Sequence, residues 1–166
     1  MHDDFASLYA FNRWANAKML DACRKLTPEQ YAVEPVAGWA PVRWTVYHIA
    51  VVSDGWLRRV ANDPDQSFAT EAEVQTVDDA ARILERAYRT FDTVLPTLTP
   101  QLLETPRLFS GRGRTAVLPP WVVLRHVVNH TTYHRGQVAS KLKQFGIQQA
   151  ETDLVFWAME QVPQAK

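Results

Sequence analysis

Eight apolar residues, Val74, Val77, Ala81, Leu84, Tyr88, Phe91, Leu95 and Leu98, follow one another in alternating steps of three and four. That spacing keeps them on one side of an α-helix, and a seam of such length must be covered by other helices rather than by water. A helical bundle is the architecture that covers it. Asp78 and Asp79 suit the first turn, where carboxylates meet the positive end of the helix dipole, and Pro96 and Pro100 end the run.

The remaining punctuation divides the chain into comparable pieces. Residues 3–26 place Phe5, Leu8, Ala15, Met19, Ala22 and Leu26 at helical spacing, and Thr27-Pro28-Glu29 opens a further short turn of helix. A second long helix from Val42 to Ala61 puts Val46, Ile49, Trp56 and Val60 on one stripe, and Asn62-Asp63-Pro64-Asp65 stops it. Within residues 104–118, short apolar stretches flank Ser110-Gly111-Arg112-Gly113 and predict a small β-hairpin. The last long helix runs from Pro119-Pro120 to Phe145 with Gly146 beyond its end, roughly 39 Å at ~1.5 Å per residue. A short helix over Asp153–Gln161 follows. The expectation is one all-α domain over residues 1–166, a four-helix bundle with a hairpin before its last long helix. The long connections before the second and fourth long helices require at least one crossover.

Composition narrows the function. Lys+Arg and Asp+Glu both number 18, so the net charge is zero, which argues against a dedicated nucleic-acid binder. The single cysteine, Cys23, excludes an intrachain disulfide framework or a CxxC site, and its place beside an apolar stripe makes it a small core residue. Met1-His2-Asp3-Asp4 is acidic where a signal peptide is basic, and no apolar run approaches the ~18 residues of a membrane span. A cytoplasmic protein with neither a nucleic acid nor a membrane as partner is expected.

Three of five histidines, His126, His130 and His134, stand four apart on the last long helix, so adjacent members aim at one point. The residues around them are strongly apolar, and His48 lies in the middle of the second long helix. Buried imidazoles need partners for both ring nitrogens, and a divalent cation serves several at once. Three imidazoles around one ion leave a coordination position open, as catalytic sites do. Spacing alone does not choose which two of the three join His48. No HExxH is present, and no histidine has a Glu three residues before it, which removes the ferritin-type di-iron pattern.

Phe11-Asn12-Arg13-Trp14-Ala15-Asn16, Trp44-Thr45-Val46-Tyr47-His48-Ile49 and Asn129-His130-Thr131-Thr132-Tyr133-His134-Arg135-Gly136-Gln137 resemble the DinB/YfiT-like family of damage-inducible metalloproteins. The resemblance covers nearly the whole chain. It implies an up-down-down-up four-helix bundle, commonly a homodimer, with a divalent metal on His48, His130 and His134 and with His126 one turn too early. Ala40-Pro41-Val42-Arg43 departs from the family, which often has Ser just before this helix. The resemblance further implies a metal-dependent thiol S-transferase or isomerase acting on a small-molecule substrate with a low-molecular-weight thiol. The ion would be zinc, nickel, iron or manganese, and zinc or nickel are favoured. A non-catalytic stress-associated metal-binding bundle and a metal-dependent hydrolase are the alternatives.

Neighbouring polar residues suggest supporting roles. Asn129, Thr131 and Gln137 are candidates for hydrogen bonds to the histidines, and among Trp14, Trp39, Trp44 and Trp56 one or two would wall a pocket. Between Thr105 and Ala150 stand seven basic residues and no acidic one, against 11 basic and 18 acidic elsewhere. The two regions are expected to neutralise each other. Alternatively, Arg43, Arg135 or the hairpin arginines draw in an anionic thiol or carboxylate.

Overall fold

Capping decides where the helices begin. The computed structural model describes residues 2–111, 113–148 and 151–161. α1 (His2–Cys23) carries Asp3 and Asp4 in its first turn. α2 (Pro28–Ala32) is a single turn closed by a capping box, in which Thr27 Oγ1 accepts from the Gln30 N–H and Gln30 Oε1 accepts from the Thr27 N–H. Thr76 and Asp79 build the same box at the start of α4 (Val77–Val94). α3 (Val42–Val60) and α6 (Pro120–Gln144) start behind Pro41 and Pro119, and α7 (Leu154–Gln161) ends the described chain. Gly146, at φ 72°, closes α6 in the left-handed conformation, with the Ile147 N–H donating back to the Leu142 carbonyl.

The apolar seam from Val74 to Leu98 outruns the helix it predicts. Glu71–Glu73 and Leu95–Thr97 form 3-10 turns on either side of α4, because the Thr76 box fixes its start and Pro96 has no N–H to extend its end. Val74, Leu95 and Leu98 are buried all the same. The first long helix likewise stops at Cys23, short of Leu26. One turn, α5 (Pro100–Glu104), is absent from the sequence reading although Thr99-Pro100 repeats the Thr27-Pro28 signal. Thr99 Oγ1 accepts from the Leu102 N–H at 3.2 Å. The hairpin forms as predicted, β1 (Arg107–Gly111) pairing antiparallel with β2 (Arg114–Leu118). Phe109 turns into the core, while the facing pair Leu108 and Val117 is exposed.

Side-chain bonds between helices give their directions. Asp4 with Arg125, Tyr9 with the Leu124 carbonyl and Asn16 with Arg135 run in step, so α1 and α6 are parallel. Asp54 bonds Arg86 on α4, and Arg43, at the start of α3, bonds Glu71 in the turn that precedes α4, so these two helices are parallel. Trp56 beside His126 and Thr45 beside Lys141 set α3 against α6, and Arg13 with Asp92 and Arg24 with Asp78 set α1 against α4. The topology is therefore up-down-down-up.

Parallel neighbours need a crossover, and residues 61–76 supply it along α3. Arg58 and Arg59 hold it by donating to the carbonyls of Asp65, Ser67 and Gln66. Gly55 makes room for it, since the Phe68 ring occupies the space that a Cβ at position 55 would need. Two apolar clusters fill the bundle. Phe5, Tyr9, Leu57, Phe91 and Leu124 belong to one, and Met19, Val46, Leu84, Val138 and Leu142 to the other. Buried Asn16, Thr131 and Arg135 lie between them in chain order on α1 and α6, and buried Asn12 lies within the α1 part of the first.

Asp54 joins the parallel pair from inside. Only 1% exposed, it accepts from Arg58 on its own helix at 2.9 Å and from Arg86 on α4 at 2.7 and 2.8 Å. Asp54→Ala leaves Arg58 buried without that carboxylate and should lower the unfolding free energy by about 3 kcal/mol in urea titration. Arg86→Ala, which removes a half-exposed partner, should cost less than about 1 kcal/mol.

Candidate metal centre

His48 on α3 meets His130 and His134 on α6. Nε2 of His48 lies 3.0 Å from Nε2 of His130, and the His134 ring centroid is 4.6 Å from that of His48 and 4.4 Å from that of His130. One ligand-capable atom from each ring lies within 4.8 Å of the other two. All three residues are partly buried. Nitrogens bound to one ion at ~2.1 Å stand roughly 3 to 3.5 Å apart, so the His48–His130 pair already fits. Small turns about the soft imidazole χ2 torsion bring in His134. The donor set is three neutral nitrogens of borderline softness and could hold a divalent transition metal ion.

Two neighbours orient the rings. Gln137 Oε1 accepts from His134 Nδ1 at 2.7 Å, a tautomer that leaves the lone pair on Nε2. Trp44 stacks on His48 with centroids 5.1 Å apart and planes 6° from parallel. Both contacts follow from helical spacing, three residues in one case and four in the other. Of the other proposed supports, Thr131 is committed to Asn12 and to the Val128 carbonyl, and Asn129 is exposed. His126 stands apart from the trio, exposed, with its ring edge-on to Trp56 and 5.4 Å from His130.

A cavity of about 640 Å³ adjoins the trio, walled by His48, His130, Trp56, Phe68, Phe109 and His126 among others. Its described lining contains no carboxylate, and its one arginine, Arg59, is engaged by the carbonyls of Gly55, Gln66 and Ser110. The arginines proposed to draw in an anion are committed elsewhere. Arg43 bonds Glu71 at 3.0 Å and Gln75 at 2.5 Å. Arg107 bonds the Val60 carbonyl and Asn62. Arg112 and the side chain of Arg114 lie outside the described residues. Arg135 is 2% exposed and donates to Asn12, Asn16 and Thr132 at 2.8–3.0 Å, so it reaches α1 and not the cavity. Burial lowers its guanidinium to about 10 and raises the neighbouring Tyr88 phenol to about 12. Mutual neutralisation of the two charge regions is seen directly in Arg125 with Asp4, at 2.8 Å.

Cys23 is not a nucleophile for this site. It is 1% exposed, and burial pushes its thiol up to about 12, far above the working range of a reactive cysteine. At pH 8 the native protein should release almost no thionitrobenzoate from Ellman's reagent, whereas one equivalent should appear at once in guanidinium chloride. A rapid native reaction would show the thiol to be reachable.

The model of the DinB family matches residues 1–165. The DinB protein of Bacillus subtilis strain 168 is 30% identical over 90% of this chain and 91% of its own length. A DinB-like protein from Bacillus cereus ATCC 10987 has a similar fold, with TM-score 0.69 and 19% identity over 90% of this chain and 95% of that one. A second DinB-like protein, from Bacillus subtilis, superposes with TM-score 0.64 and 16% identity over 89% and 97% of the two chains. A structure described as a four-helix bundle protein gives TM-score 0.58 at 17% identity, covering 82% and 98%. Matched over nearly its whole length by the family model and sharing the bundle of these proteins, the chain belongs to the DinB family.

Proposed function

We propose that His48, His130 and His134 bind one divalent metal ion and that the protein is a metal-dependent thiol S-transferase. The observation that carries this reading is the meeting of three imidazoles from two helices, two of which, His48 and His130, line an apolar cavity. His48, His130 and His134 would hold the ion, which would supply Lewis acidity that favours loss of a thiol's proton near neutral pH. Gln137 keeps the His134 lone pair on Nε2, and Trp44 holds the plane of His48. Trp56, Phe68 and Phe109 limit the water around any group lodged beside the histidines. With Cys23 sealed in the core, the reacting thiol is a separate low-molecular-weight molecule. Zinc or nickel suits an all-imidazole set better than manganese, which prefers oxygen donors.

Elemental analysis of the protein purified from its native host tests the ligand set. About one divalent ion per chain is expected in the wild type and far less in His134→Ala, and equal content in both would remove His134. Activity is tested by conjugating an electrophilic bimane to a small thiol. Turnover by the metal-bearing protein that is lost in His48→Ala supports the transferase. A metal that raises the melting temperature while no thiol or water chemistry is accelerated would instead identify a non-catalytic bundle, in which the ion only ties α3 to α6.

The working unit in this proposal is a homodimer. Leu154, Val155 and Met159 are exposed on α7, which docks to α1 through Trp14 and Glu160 and so leaves apolar surface for a partner to cover. Sedimentation equilibrium should return twice the chain mass, and a single-chain mass at micromolar concentration would overturn the dimer.

A further inference from the structure

A second cavity, of about 360 Å³, contains none of the three histidines. Trp39, Trp44, Thr45, Gln137, Ser140 and Lys141 line it. It still touches the metal-site neighbourhood, because Trp44 stacks on His48 and Gln137 holds His134.

Lys141 is the unusual member. It is 7% exposed, and its Nζ donates to Thr45 Oγ1 at 2.5 Å. No carboxylate forms an ion pair with it among the described residues, and α6 has no acidic residue at all. An ammonium carries three donors, so one hydroxyl leaves it short of both hydrogen-bond acceptors and countercharge. Burial accordingly pushes it below the usual lysine value. A buried unpaired cation is a burden on the fold, and in a cavity it marks a place where a ligand supplies the missing charge. The other walls describe that ligand. Trp39 and Trp44 remain 41% and 37% exposed, wide indole surfaces suited to a flat apolar body. One ammonium, with no guanidinium fork beside it, matches a monoanion better than a phosphate.

We propose that this cavity binds the carboxylate of a small molecule with a flat apolar body, the carboxylate on Lys141 Nζ and the body against Trp39 and Trp44. The site goes beyond the metal reading and needs no ion, so either can fail alone.

Benzoate is the probe, with benzamide as its neutral isostere and inorganic phosphate as the competing anion, followed by tryptophan fluorescence and saturation-transfer NMR. Benzoate should saturate in the millimolar range, with benzamide at least tenfold weaker. Lys141→Met should lose benzoate affinity at least tenfold while its melting temperature rises, because an uncompensated buried charge is gone. If that variant does not fold, Lys141→Gln, which keeps a donor to Thr45, is read by its benzoate affinity. A lower melting temperature with unchanged benzoate affinity would make Lys141 a strut between α6 and α3 and overturn the proposal. So would tighter binding of phosphate than of benzoate, or no saturation at tens of millimolar benzoate. His134→Ala should keep full benzoate affinity, and its loss would place the anion on the histidines instead.

Discussion

Arg135 crosses the middle of the bundle to donate to Asn12 and Asn16 on α1, and the position of the histidines depends on that bridge. Apolar seams fix which faces of two helices meet but hold their axial register weakly, since one Val or Leu replaces another after a turn. A buried directional network does not tolerate such a slide, because every donor would lose its acceptor. Here the distinction is chemical. His126, His130 and His134 form a ladder of equivalent rungs, and a one-turn shift of α6 would bring His126 and His130 to His48 in place of His130 and His134. The contacts of Arg135 and Thr131 with Asn12, and of Arg135 with Asn16, admit one register. The residue that selects which histidine pair faces His48 therefore stands next to His134 in sequence and faces away from the site.

Topology makes a second contribution. Parallel α3 and α4 cannot be joined by a tight turn, so the chain must travel back along the bundle through residues 61–76. That segment crosses α3 at Gly55, and Phe68 becomes one wall of the cavity beside His48 and His130. Arg59 clamps the segment to the hairpin by bonding carbonyls of both, Gln66 on one side and Ser110 on the other. An unavoidable connection thus becomes the cover of the candidate site, and Arg58 with Asp54 anchors it to the interior.

Much of this was legible in the residues and some was not, for identifiable reasons. The 3-4 seam, the Pro-started helices and the Ser110–Gly113 turn are local signals, and the elements they predict are present. The HxxxHxxxH ladder with His48 restricted the site to four residues, and the family resemblance picked the three that the structure brings together. Helix ends were harder, since the seam continues through the 3-10 turns on both sides of α4 and burial does not require α-helical geometry. α5 escaped notice although its Thr-Pro start was in plain view, because a five-residue turn has no periodicity to detect. In the sequence Arg135 is a candidate to draw in an anion, and Lys141 is one member of a basic stretch. Charge along a sequence does not show which way a side chain faces, and both turn inward.

That inward turning gives the basic stretch its meaning. Lysine and arginine on a bundle surface are usually solvated, whereas Arg59, Arg107, Arg135 and Lys141 reach carbonyls, amides and hydroxyls of the interior. Neutral acceptors bond these cations without cancelling their charge. Carboxylates that would cancel it lie elsewhere in the chain, and the paired ones, such as Asp4, Asp78 and Asp92, mostly serve exposed arginines. Among the described residues, the two cavities that Arg59 and Lys141 help to line have no acidic lining residue. There an entering anion meets positive charge that no lining carboxylate cancels. The thiolate that the proposed transferase would use and the carboxylate proposed at Lys141 are both favoured by that one arrangement of charge.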